Sequence, residues 1–95
     1  MLEQSDDALG RLRVNELHSF VVLTEELHFA RAARRLQLTP GGLSRRISHL
    51  EKALGARLLD RTTHYVRLTS EGNRLVPEVR RLLTEVQALY QLTAV

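Results

Sequence analysis

Thr39-Pro40-Gly41-Gly42-Leu43-Ser44-Arg45-Arg46-Ile47-Ser48-His49-Leu50-Glu51-Lys52-Ala53-Leu54-Gly55 is the stretch whose reading decides the fold. Its apolar residues Leu43, Ile47, Leu50 and Leu54 recur at helical spacing and fall within one stripe roughly 60° wide. Gly41, Ser44, Arg45, Ser48, His49 and Lys52 collect on the other side, all small, hydrogen-bonding or cationic. Thr39 suits the N-cap, and Pro40 suits the first helical position, where its missing N–H costs nothing. Gly55 supplies a left-handed stop. An apolar back with a small, basic front fits the major groove of duplex DNA.

Upstream, residues 1–11 are polar, carry Glu3, Asp6 and Asp7, and show no periodicity, so they are expected to form a disordered acidic leader. A helix is expected from Asn15 as N-cap, with Leu17, Phe20, Val21, Thr24 and Leu27 on one face. A short second helix covers Arg31 to Gln37, with Ala32, Ala33 and Leu36 inward and Arg31 and Arg34 outward. Ala30 stands where a capping residue would help. The brief turn Gln37-Leu38-Thr39 makes the second and third helices cross steeply. His18 and His28 lack convergent partners, so no metal site is expected.

Downstream of Gly55 the pattern becomes extended. Leu58–Arg61 and Val66–Leu68, joined by Thr62-Thr63-His64-Tyr65, read as a two-stranded wing, with an ordinary loop as the alternative. So short a hairpin needs support from the helices, which Leu59, Val66 and Leu68 could supply. A last helix starts after Thr69. Leu75, Val79, Leu82, Val86 and Leu89 follow a heptad spacing, which suits a dimer seam; a single amphipathic helix lying on its own domain is the alternative. Pro77 falls early in this helix, where it is accommodated in the first turns or bends the chain.

The 95 residues make one small domain, and the absence of cysteine excludes disulfides and thiolate metal sites. No segment reads as a signal peptide or a membrane span, so a cytoplasmic location is expected. The net charge is only +3. Its distribution is uneven, with nine bases against two acids over residues 31–67. Such a concentration points to a polyanion partner, although solvated arginines give the same count. Thirteen of the fourteen bases are arginine, which suits bidentate guanine and phosphate contacts.

Taken together, several motifs resemble the DNA-binding domain of LysR-type transcriptional regulators. They are Leu17-x-x-Phe20, Glu25-Glu26-Leu27-His28-Phe29, Arg31-Ala32-Ala33-x-x-Leu36, Leu43-Ser44-Arg45-x-Ile47-x-x-Leu50-Glu51-x-x-Leu54-Gly55, Leu58-Leu59-x-Arg61-Thr62 and Val66-x-Leu68-Thr69-x-x-Gly72. The resemblance covers about residues 12 to 89 and rests on the order and spacing of the motifs together. It implies a mainly α fold: a winged helix-turn-helix over residues 12–69, a linker dimerisation helix over 70–92 and a tail at 93–95. It also implies recognition helices in successive major grooves and wings at the adjacent minor grooves. Thr39, Ser44 and Arg45 match positions that approach bases and phosphates, Arg31 matches a backbone contact, and Arg61 lies at the base of the wing.

The departures from the family pattern are local. Pro40-Gly41-Gly42 replaces the usual Gln-Pro-Ala, removing a glutamine suited to adenine and implying a looser helix start. His64 and Tyr65 replace a common arginine and glycine in the wing, and Leu59 stands where phenylalanine is usual. Full-length relatives continue into a ligand-sensing domain, so this chain is expected to bind without a small-molecule effector, whether as an excised fragment or a truncated form.

The expected function is therefore sequence-specific binding of a double-stranded operator, an interrupted palindrome, by a homodimer, with no catalysis, cofactor or membrane. The expected DNA contacts are Arg31, Arg34, Thr39, Pro40, Gly41, Ser44, Arg45, Ser48, His49, Arg61, His64 and Arg67. The expected dimer contacts are Leu75, Val79, Leu82, Val86 and Leu89. Non-specific architectural DNA binding and a protein-interaction module are the alternatives.

Overall fold

A computed structural model describes residues 2–62 and 64–94, with side chains from residue 6 onward. Met1 of the leader, Thr63 of the wing turn and Val95 of the tail lie outside the described residues. The order is α1 (Leu2–Arg11), α2 (Val14–Glu26), α3 (Phe29–Leu36), α4 (Pro40–Leu54), β1 (Leu59–Arg61), β2 (Val66–Leu68) and α5 (Ser70–Thr93). The fold is mainly helical with one two-stranded antiparallel sheet, in the register Leu59↔Leu68, Asp60↔Arg67 and Arg61↔Val66.

α4 begins and ends where its sequence signals lie. Thr39 Oγ1 accepts from Gly42 N at 3.0 Å, Pro40 occupies the first turn, and Gly55 takes φ 70°. The helix runs from Pro40 through both glycines. Leu43, Ile47 and Leu50 are fully buried and meet Phe20 and Leu23 of α2 and Ala32 and Ala33 of α3. The small alanines let α3 approach α2 closely.

Four local expectations are corrected. The leader is helical as α1, not disordered, and its residues 6–11 are exposed. α2 starts one residue before Asn15, at Val14, and its N-cap Arg13 makes no side-chain cap bond. It also stops at Glu26, so Leu27 is left-handed at φ 52° and exposed instead of extending the inward face. α3 is not left uncapped at Ala30: it starts at Phe29, and His28 Nδ1 accepts from Arg31 N at 3.2 Å.

The wing is held at its root. Leu58 and Leu59 are fully buried, and Val66 and Leu68 pack against the core. Glu51 Oε2, from the last turns of α4, accepts from Leu58 N at 2.8 Å and Leu59 N at 3.2 Å. Thr69 fastens the other strand: its N–H donates to the Leu58 carbonyl at 3.0 Å and its Oγ1 to the Arg57 carbonyl at 2.6 Å. The same Oγ1 caps α5 by accepting from Gly72 N at 3.0 Å.

α5 runs uninterrupted through Pro77. The bond that Pro77 cannot donate leaves the carbonyl of exposed Asn73, which water can satisfy. The expected heptad seam divides between two environments. Val79 is buried in the domain's own core, and Leu75 packs against that core together with Val76 and Leu83. Leu82 and Leu89 are exposed. Val79 and Leu75 therefore serve the body, because the first half of α5 lies on α2.

Candidate nucleic-acid interface

α4 turns Ser44, Arg45, Ser48, His49 and Lys52 outward around an open hollow of about 260 Å³. The stripe of Leu43, Ile47 and Leu50 fixes this orientation, since rotating the helix would expose the core. Arg45 is exposed and has no carboxylate partner among the described residues. A Cβ on Gly41 would lie 3.6 Å from Arg45 Nη1, so the guanidinium runs along the bare glycine side of the first turn. Thr39, Pro40 and Gly41 are exposed at the same end of the helix.

Ser48 and His49 are already engaged. Arg61 Nη2 donates to Ser48 Oγ at 3.4 Å, and the Arg61 guanidinium lies 4.9 Å from the Phe29 ring centroid. Arg61 therefore joins the wing root to α4 and α3. His49 Nδ1 is 2.8 Å from Glu16 Oε1, while 42% of the His49 side chain stays exposed. Glu16 is buried, as is Ser19, and both face α4. Ser19 Oγ accepts from Arg46 Nη1 at 3.2 Å and donates to the Asn15 carbonyl at 2.8 Å.

The wing presents His64, Tyr65 and Arg67, all exposed. The Arg67 guanidinium stacks 4.4 Å from the Tyr65 centroid, and its Nη2 donates to the Tyr65 hydroxyl at 3.3 Å. Thr62 shapes the turn, its Oγ1 accepting from His64 N at 3.0 Å and Tyr65 N at 3.2 Å. On α3, Arg34 is exposed without a carboxylate partner among the described residues. Arg31 leans back on Glu26, with Nε 3.5 Å from Oε1, so reaching a phosphate would require exchanging that contact.

Two further arginines are engaged in ion pairs that join helices. Arg35 pairs with Glu25 at 2.9 Å and Glu26 at 3.1 Å, and Arg80 of α5 pairs with Glu25 at 3.0 Å. The Arg35 guanidinium holds the Glu25 carboxyl below its usual range; the smaller burial effect opposes this, and Arg80 reinforces it.

The structure thus gathers Thr39, Pro40, Gly41, Ser44, Arg45, Ser48 and His49 on α4 and its cap, with Arg61, His64 and Arg67 on the wing beside them. Lys52 and Tyr65 border this surface but were not among the expected DNA contacts. The periodicity of α4 already put Lys52 on the face of Ser48, and the structure places both at the same hollow. The stacking of Tyr65 on Arg67 depends on strand pairing and has no linear signal.

Residues 14–73 match the family model described as "Bacterial regulatory helix-turn-helix protein, lysR family". The chain belongs to the lysR family. The match spans α2 to the first turn of α5 and leaves α1 outside. The HTH-type transcriptional regulator TtuA of Agrobacterium vitis is 45% identical over 78 residues, which are 82% of this chain and 26% of that protein. The chain therefore spans about a quarter of the length of such lysR relatives.

Two solved DNA complexes share the lysR fold. The BenM_DBD/catB site 1 complex is 34% identical with a TM-score of 0.80, covering 86% of this chain and 92% of that one. The CbnR_DBD–DNA complex is 27% identical with a TM-score of 0.82, covering 86% and 94%. The winged helix-turn-helix followed by a long helix is therefore the DNA-binding domain of a LysR-type transcriptional regulator, as the sequence motifs implied.

Proposed function

We propose that the chain binds operator DNA sequence-specifically as a dimer in the bacterial cytoplasm, α4 entering the major groove and the wing lying at the adjacent minor groove. The observation that carries this reading is the outward ridge of α4: Ser44 and Arg45, which has no carboxylate partner among the described residues, stand clear of the core beside a braced wing. In this arrangement Ser44 and Arg45 reach base edges, with Ser48 and His49 as secondary readers. Arg34, Arg31, Arg61, His64 and Arg67 contact phosphates or the minor groove, and the exposed backbone at Thr39, Pro40 and Gly41 lies close to a strand.

Leu82, Val86 and Leu89 of α5 form the dimer contact, extended by exposed Tyr90 and Leu92. An open groove of about 640 Å³ between α2 and α5, lined in part by Val21, Leu83, Val86 and Tyr90, adjoins them. Two recognition helices about 34–36 Å apart would meet half-sites one helical turn apart in an interrupted palindrome.

Selection from random duplexes, followed by binding titrations, tests the assignment. Arg45→Ala is expected to relax preference at one base position by about 1–3 kcal/mol. Arg34→Ala should weaken all sequences alike and flatten the salt dependence by about one unit. Full selectivity in Arg45→Ala, or an altered motif in Arg34→Ala, would overturn these roles. Affinity without any sequence preference would leave architectural DNA binding in its place.

A further inference from the structure

We infer that Glu16 is a positioning residue that fixes the imidazole of His49 in one tautomer, so that neutral His49 offers the DNA a hydrogen-bond acceptor. The inference rests on the operator-binding reading above and assigns His49 a base chemistry. Glu16 lies in the first turn of α2, where the helix dipole favours a carboxylate. It is buried, and its Oε1 is 2.8 Å from His49 Nδ1. A carboxylate only accepts hydrogen bonds, so Nδ1 carries the proton. In the neutral ring Nε2 is then an unprotonated acceptor.

The rest of the ring borders the hollow shared with Ser44, Arg45, Ser48 and Lys52. An acceptor in a major groove finds donors only on the exocyclic amino groups, N4 of cytosine and N6 of adenine. Guanine presents N7 and O6 there, and thymine O4, so each would face a lone pair with a lone pair. His49 in this state selects an amino-bearing base and disfavours a keto base on the strand it faces. Arg45 beside it is donor-only, so neighbouring residues read opposite patterns.

A simple tie between α2 and α4 would also produce a 2.8 Å contact, and two measurements separate that role from this one. Nitrogen-15 NMR of the free wild-type protein at the pH of the selection is expected to show the Nδ1–H form of His49; the Nε2–H form, or a ring protonated on both nitrogens, would overturn the inference without any variant being folded. Selection from random-sequence duplexes with wild type and Glu16→Gln gives the second measurement. A glutamine amide both donates and accepts, so it holds either tautomer. The variant should lose roughly three- to tenfold of amino-over-keto discrimination at one position, the worth of a single hydrogen bond, with the rest of the motif retained.

A motif unchanged in the variant, or a keto base at the wild-type position facing His49, overturns the inference while leaving operator binding intact. A wild-type selection that returns no motif defeats the operator reading and this one with it.

Discussion

Gly72 shows how one missing atom holds the wing and α5 together. A Cβ at this position would stand 2.2 Å from the Leu58 carbonyl oxygen and 2.9 Å from Leu68 Cδ2. The Leu58 oxygen already accepts from Thr69 N, so it cannot withdraw without losing that bond. Gly72→Ala is therefore expected to destabilise the domain by about 1–3 kcal/mol, read as a lowered midpoint in urea. Gly41 is the contrast, since a Cβ there makes only ordinary contact. Linear sequence shows both as glycine and cannot separate a forced close approach from an open face. The left-handed residues are equally hidden: Gly55 announces itself, whereas Leu27 and Gln37 at φ 52° and 58° carry no local signal. Tertiary packing fixes the ends of α2 and α3 there, against the preference of the residues.

At the scale of elements, α4 was legible because its cap, proline, stripe and stop are all local. The wing was legible in outline, but its fastening was not. Glu51 reads as one more charge on a helix, yet its carboxylate closes the backbone donors of Leu58 and Leu59. Glu51→Gln keeps an acceptor but removes the charge, and should cost about 1 kcal/mol, with amide exchange at Leu58 and Leu59 accelerating ahead of the α4 core. Uniform acceleration across the domain would count against a local fastening. Glu25 ties three helices, α2 to α3 through Arg35 and α2 to α5 through Arg80. Its carboxyl is held below the ordinary value, so its contribution is complete above roughly pH 4.3 and lost as pH falls through the lower folded value. All three partners are substantially exposed, so solvent screening keeps the effect small. Stability measured down the acid limb should fall less steeply in Glu25→Gln than in wild type.

At the scale of the whole molecule, the Cα radius of gyration is 14.1 Å, against roughly 12 Å for a compact chain of this length. The excess fits α5, whose 24 residues span about 36 Å. Its heptad spacing identified an apolar face without saying what would cover it, and the coverage turned out divided. Leu89→Glu should convert the proposed dimer to monomer in sedimentation while leaving the melting of the body within about 0.5 kcal/mol, since Leu89 is 62% exposed. A substitution at Val79 would instead unfold the body, so it cannot serve as the dimer test.

The point where α5 leaves the core also sets a mechanical ratio. Beyond Leu83, the last residue of α5 packed against the core, ten residues remain to Thr93, a lever of about 15 Å. A tilt of about thirteen degrees at that pivot sweeps the tip through about 3.4 Å, the rise between stacked bases. A partner protomer holding the far end of the rod, as proposed above, would pass such a tilt to the body that carries α4 through the packing at Val79 and Leu83. In the proposed dimer that packing would set how faithfully two protomers keep step along a duplex.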